Sequence, residues 1–196
     1  MDGGSTDGTY EIVRDLFPSA RCYRSAVPGR SRQMNLGAAK SGADIFIFAH
    51  IDMRLPGNAV DVVRRKILDG CAGGGFKKRY HPSGRVLKIY NDFLNRFYLA
   101  RMHCLVGTNA IFVTRRVFEA MNGFPDTAFL EDIIFSEGLN RQGGIAVIDD
   151  PVIVSSRKYL QNGIFKQILR NARVIFGYHF LREHPDKLRE IYLGAL

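Results

Sequence analysis

The sequence predicts an α/β fold, a mostly parallel sheet with helices on its faces. Three observations carry that expectation. Helical and strand-like segments alternate through the first third of the chain. One segment, "DIFIFAH" (44–50), is an unbroken apolar and aromatic run of the kind shown by a strand buried on both faces. Glycine or proline closes most of the segments, as turns require. The chain has 196 residues, 46% of them hydrophobic and 24% charged, enough for one domain with a real core and too apolar for disorder.

The opening "MDGGSTDGTYEIV" reads as a strand-to-helix turn. Gly3, Gly4 and Gly8 permit positive φ, and Ser5, Thr6 and Asp7 are turn and N-cap residues. No strand precedes it, so the expected fold lacks its first β-α-β elements. A short helix follows over 10–17, stopped by Pro18, and "ARCYRS" (20–25) reads as a short strand. A glycine-containing loop then leads into a small-residue helix capped by Gly42. After the 44–50 strand, "NAVDVVRRKILDG" (58–70) is an amphipathic helix. "CAGGGFKKRY" (71–80) reads as a strand with a glycine-rich entry. The stretch 85–102 reads as a helix with Leu87, Tyr90, Leu94, Phe97 and Tyr98 on one stripe. A strand over 110–114 leads to a helix ended by Gly123. Another helix carries Glu131 and Asp132 in its first turn, and "IAVIDDPVIVSSRKY" supplies one or two further strands. The tail from Gly163 reads as a pair of basic, aromatic-rich helices.

Lys and Arg number 28 against 19 Asp and Glu, a net +9. Such an excess suits an anionic partner or a solvated basic surface. Cys22, Cys71 and Cys104 are widely spaced with no Cys-x-x-Cys, which argues for free thiols over a zinc or disulfide framework. No apolar run is long enough to cross a bilayer, and the N-terminus has no basic-then-apolar signal pattern. The expected compartment is cytoplasmic.

Four constellations carry candidate chemistry. In "FAHIDMRLP", Asp52 follows the apolar strand, at the sheet edge where α/β proteins place ligands, and its carboxylate suits a hard divalent cation; His50 points the same way in an extended segment. In "PGRSRQMNLGAA", Arg30, Arg32 and Gln33 enter a helix N-terminus, a natural anion contact. In "FLEDIIFSEGL", one of two adjacent acids could act as general base. In "SSRKY", Arg157 suits phosphate and Tyr159 suits stacking. Taken singly, each is also what an ordinary solvated loop or a charged first helical turn looks like.

In this order on one chain, "DGGSTDGT", "GRSRQMNLGAA", "IFIFAHIDMRLP", "FLEDIIFSEGL" and "SSRKY" resemble a family 2 glycosyltransferase of the GT-A (Rossmann-like) fold. The resemblance covers nearly the whole chain. It is nearest to a bacterial branch with His-x-Asp in place of Asp-x-Asp, labelled radical-SAM-associated or arsenosugar biosynthesis. It implies a GT-A core over 1–162, missing its N-terminal strand, and a helical tail over 163–196. It also implies nucleotide contacts from Asp2, Gly3, Ser5 and Asp7, and base and ribose contacts from Arg30, Gln33 and Asn35. Asp52 would hold Mn²⁺ or Mg²⁺ against a sugar diphosphate, with His50 in contact and not a ligand. Glu131 would join the substrate site, Asp132 would be the catalytic base, and Arg157 with Tyr159 would close over the diphosphate. The implied reaction is metal-dependent, inverting transfer from a nucleotide-sugar donor to an acceptor hydroxyl; donor and acceptor are not legible.

Two other readings stand beside it. One is a catalytically impaired fragment or scaffold of that family, able to pair with a second copy as a homodimer. The other is a basic module for an anionic membrane surface, peripheral at the inner membrane. In the tail Lys166, Arg170 and Arg173 share one helical side and Ile164, Phe165, Ile168, Leu169 and Phe176 another, which suits either a bilayer or packing on the chain's own domain. No motif for specific nucleic-acid recognition is present.

Overall fold

The computed structural model describes residues 1–194; residues 195–196, the end of the expected tail, lie outside the described residues. Helices α1 (Thr9–Leu16), α2 (Arg30–Lys40) and α3 (Ala59–Leu68) fall where the sequence predicts them. So do α5 (Arg115–Ala120) and α6 (Glu131–Arg141), and the tail pair α8 (Ile164–His179) and α9 (Pro185–Leu193). The 85–102 segment is α4 (Arg85–Phe93), continued by a π-helical turn over Leu94–Leu99. The strands are β1 (Ile45–Phe48), β2 (Met53–Arg54), β3 (Gly73–His81), β4 (Ile111–Thr114) and β5 (Ile145–Ser155).

These strands form one sheet in the order β1-β4-β3-β5-β2. The α/β class stands, but mostly parallel pairing does not. β3 and β5 run parallel, whereas β1/β4, β3/β4 and β2/β5 are antiparallel. Alternating helices and strands imply parallel pairing when successive strands become sheet neighbours through a helical crossover. Here β1 pairs with β4 instead, far along the chain, so the crossover rule does not set its direction.

The expected 20–25 strand shrinks to a single parallel bridge between Asp2 and Arg24. The chain turns away after it, with Gly4 at φ 95°. The 145–159 stretch resolves into one strand, β5, which carries Pro151 at a shift of register. Phe76 is opposite Ile148, but Lys78 is opposite Val152. Proline has no N–H for a ladder, so it sits in the bulge and the strand continues past it.

The core lies on both faces of the sheet, as period-two alternation in β4 requires. Ile111 and Val113 pack with Phe46, Phe118, Phe124 and Phe135 on one face. Phe112 packs with Phe76, Ile148, Val152 and Val154 on the other. The glycine run of β3 lets the central strands close tightly. A Cβ at Gly73 would lie 2.6 Å from the Phe112 carbonyl oxygen, and one at Gly74 would collide with the Ala146 carbonyl. Gly74→Ala is therefore expected to destabilise the fold by about 3 kcal/mol, read as a lower denaturant midpoint at unchanged slope.

Candidate active site

Between the sheet, α6 and α8 lies a cavity of about 230 Å³, lined by Arg30, Asp52, Lys78, Asp132 and Lys158 among others. Its apolar wall includes Leu94, Tyr98, Val174 and Ile175. Asp52 and Asp132, far apart in sequence, thus line one cavity, Asp52 at its exposed side and Asp132 buried.

Asp132 is 8% exposed and lies in the first turn of α6. Leu130, at φ 63°, turns the chain into the helix. The carboxylate is oriented by two backbone donors, Gly107 N–H to Oδ2 at 2.5 Å and Ile133 N–H to Oδ1 at 2.8 Å. A carboxylate has about four acceptor positions, so two remain for a ligand. The loop carrying Gly107 is pinned on both sides. Asn109 donates to the Phe76 carbonyl at 2.9 Å and accepts from Val106 N–H at 3.0 Å, and Ser136 Oγ accepts from Leu105 N–H at 2.8 Å. Asn109 thereby ties this loop to the central strand.

Lys78 is 5% exposed and lies on the cavity wall. Its backbone sits at the β3/β5 register shift and is held by α4 and the π turn. Asn91 and Asn95 each donate to its carbonyl at 2.8 Å, and Asn95 accepts from its N–H at 3.1 Å. Its ammonium donates to Thr108 Oγ1 at 3.0 Å. Burial pulls the Lys78 pKa down to about 8, against the opposing attraction of Asp132. Lys78 was not among the residues singled out from sequence, although one signal was available: Phe76, Lys78 and Tyr80 alternate on one face of a strand, which puts a lysine among core residues.

Arg30 joins the loop side to the acids. Its Nη2 donates to His50 Nε2 at 2.8 Å, so that nitrogen is an acceptor and the ring proton sits on Nδ1. Its Nη1 lies 3.1 Å from Glu131 Oε1, an oxygen that no N–H points at, so charge attraction holds the pair. Burial, then the Asp132 charge, raises the Glu131 pKa, and Arg30 partly offsets them. Burial, then Arg30, lowers the His50 pKa. Gly107 is required here, since a Cβ would collide with His50 and lie 2.5 Å from Arg30 Nη2. Asp52 sits in the turn between β1 and β2, where Met53 N–H donates to the His50 carbonyl at 3.2 Å. Ser155 N–H donates to the Asp52 carbonyl at 2.9 Å, tying that turn to the end of β5.

Of the remaining candidates Tyr159 also lines this cavity, and the others are placed less centrally. Asp2 folds onto its own turn, accepting from Ser5 Oγ at 2.5 Å and from Gly4 and Ser5 N–H at 3.0 Å. The Ser5 hydroxyl is the main cause of its lowered pKa. Asp7 accepts from Thr9 Oγ1 at 2.6 Å, which chiefly lowers its pKa. Gln33 clips Gly3 to Gly29, accepting from Gly3 N–H at 2.9 Å and donating to the Gly29 carbonyl at 3.1 Å. Both ends of the Asn35 amide engage the Phe124 backbone at 2.8 Å. Arg157 and Tyr159 follow strand β5, as the sequence predicts, and lie in a short helix, α7 (Arg157–Asn162). Tyr159 is buried against Tyr80, their hydroxyls 3.1 Å apart, and Asn171 donates to it at 3.0 Å. Arg157 is exposed and absent from the cavity wall, which Lys158 joins instead.

No cluster of three or more His, Cys, Asp or Glu able to hold a metal occurs among the described residues. The protein's hard donor on this wall is the Asp52 carboxylate, with Asp132 already engaged by backbone N–H groups. That donor set fits a cation such as Mg²⁺, which is often held by one or two carboxylates while substrate phosphates and water complete its shell.

Residues 1–118 match the family model described as Glycosyl transferase family 2. Among solved structures, the chain is similar to S. aureus TarS 1-349, at 13% identity and TM-score 0.61 over 97% of this chain and 58% of that one. It is also similar to the mannosyltransferase PcManGT from Pyrobaculum calidifontis, solved in complex with GDP-Man and Mn²⁺. That match has 19% identity and TM-score 0.63 over 99% of this chain and 57% of that one. The chain thus spans less than two thirds of either. At these identities the likeness is one of fold, and that fold is GT-A. No curated protein matches the sequence.

Proposed function

Since the chain belongs to glycosyl transferase family 2, we propose that it is a glycosyltransferase that transfers a sugar with inversion, from a nucleotide-diphosphate donor to an acceptor hydroxyl, in this cavity. One observation supports the reading most: Asp52 and Asp132 line the same cavity, with Asp132 oriented by the Gly107 N–H.

Asp132 is the base. It accepts the acceptor's hydroxyl proton as that oxygen bonds to the anomeric carbon. The bond from that carbon to the diphosphate oxygen breaks on the opposite face, and its electron pair leaves with the nucleoside diphosphate. Attack from the face opposite the leaving group inverts the anomeric centre. Asp52 would hold a divalent cation, which when bound would offset the charge of the departing diphosphate. Arg30 and Lys158 supply positive charge on the same wall, and Glu131 keeps Arg30 in place. His50, a neutral acceptor for Arg30, contributes orientation.

The test is release of nucleoside diphosphate from a panel of nucleotide sugars with Mn²⁺ or Mg²⁺. Release that stops on chelation and returns with the metal supports the reading, and product of unchanged anomeric configuration would overturn inversion. The rival reading, a family member without turnover, draws on one observation. β1 ends the sheet, bonded to β4 alone among the described strands, beside a groove of about 540 Å³ lined by Met1, Met34 and Phe48. No release from any donor would favour that rival.

A further inference from the structure

Behind the cavity wall, two helices present apolar side chains to solvent. Tyr90 and Tyr98 on α4 and its π turn meet Asn171 and His179 on α8, at 3.3 Å and 3.0 Å. The equal spacing of the two contacts makes the helices run side by side in one direction. Phe97 lies one residue before Tyr98, and Phe180 one after His179. In two parallel right-handed helices, a step back on one and a step forward on the other turn both side chains to the same side. Phe93 stacks on Phe97 with ring centres 5.5 Å apart, and Phe176 stacks on Phe180 at 5.1 Å. Phe165 and Leu169 extend the α8 row at 74% and 72% exposure, and the other four are at least half exposed. The expected apolar side of the tail is therefore divided. Ile164 and Ile168 pack on the core, while Phe165, Leu169 and Phe176 do not.

The charge around this face is one-sided. Residues 85–102 and 163–184 carry eight Lys or Arg against two acids, Asp92 and Glu183. Each acid is already paired, Asp92 with Lys88 and Glu183 with Arg173 and Lys187. An apolar stripe rimmed by cations suits an anionic lipid surface, where rings and Leu enter the acyl boundary and basic groups meet headgroups. A second copy would bring the same positive rim against it. We propose that this face, α4 with its π turn and α8, rests on an anionic bilayer. No helix among the described residues is long and apolar enough to cross a membrane, so the contact is peripheral.

The test is co-sedimentation of the whole chain with phosphatidylcholine vesicles, with and without equimolar phosphatidylglycerol. Binding to the anionic vesicles is expected at about 0.1 M salt, with most of it lost at about 1 M. Phe165→Ser/Leu169→Ser and, separately, Arg96→Glu/Lys166→Glu are each expected to weaken it at least about tenfold. All these side chains are exposed, so thermal unfolding should not move. Absent sedimentation, or equal binding of wild type and variants, would overturn the proposal. So would light scattering that shows a dimer which the Phe165→Ser/Leu169→Ser variant dissolves, since a second copy would then own the face.

Discussion

Asp132→Asn is expected to lower turnover about 10³-fold while leaving nucleotide-diphosphate affinity within about twofold, because an amide cannot take the acceptor's proton. The substitution is not silent structurally. Both Asp132 oxygens accept a backbone N–H, and an amide can serve only one of them, so a loss of about 1 kcal/mol in stability accompanies it. Steady-state kinetics together with thermal unfolding separates the two effects. A base leaves a folded, donor-binding and inert variant, whereas a purely structural residue leaves an unfolded one. If the variant retains wild-type turnover, Asp132 is not the base.

Lys78→Met is expected to lower kcat/KM about 100-fold and at the same time to stabilise the fold. The first effect follows if the buried ammonium beside Asp132 meets an anionic part of the bound substrate, since a charge-assisted contact in a low-dielectric site is worth a few kcal/mol. The second follows from burial. The Lys78 pKa falls from its ordinary value to about 8, so the folded protein pays for keeping the charge at neutral pH. The unfolded chain binds the extra proton between about pH 8 and the ordinary lysine value, so wild-type stability rises with pH across that window. Methionine removes this pH dependence and gains on the order of 2 kcal/mol at pH 7. The kinetic counterpart is a fall in wild-type kcat/KM above about pH 8 that the variant lacks. A variant that loses activity and stability together would reduce Lys78 to a packing residue.

The sequence marked the two carboxylates that line the cavity better than it marked the frame between them. Asp52 and Asp132 stood out because each borders a strongly patterned element: an apolar strand before Asp52, an apolar helix face after Asp132. Helices such as α2, α3 and α6 were legible from period and caps. Strand direction was not, because β1 pairs with β4 across a long stretch of chain and periodicity carries no information about partners. The family resemblance implies base and ribose contacts from Gln33 and Asn35. Their amides instead engage Gly3, Gly29 and Phe124, partners that spacing cannot reveal. Lys78 was passed over because a lysine in a strand reads as the solvent side, although it alternates with Phe76 and Tyr80 on the buried face, where Asn91 and Asn95 clamp its backbone. The Arg157–Tyr159 pair follows a strand, β5, as the sequence predicts, but the helix that holds it was not legible. The chain coils there into α7, which buries the tyrosine and leaves the arginine outside.

Calorimetric titration of a nucleoside diphosphate, with Mn²⁺ present, into wild type, Asp52→Asn and Asp132→Asn tests the division of labour between the two carboxylates most directly. Metal-dependent binding is expected in wild type and Asp132→Asn and should be at least about tenfold weaker in Asp52→Asn, where the ion loses its carboxylate. Equal affinity in all three proteins, with and without the ion, would mean that Asp52 does not grip a cation and that this cavity is not where the donor binds.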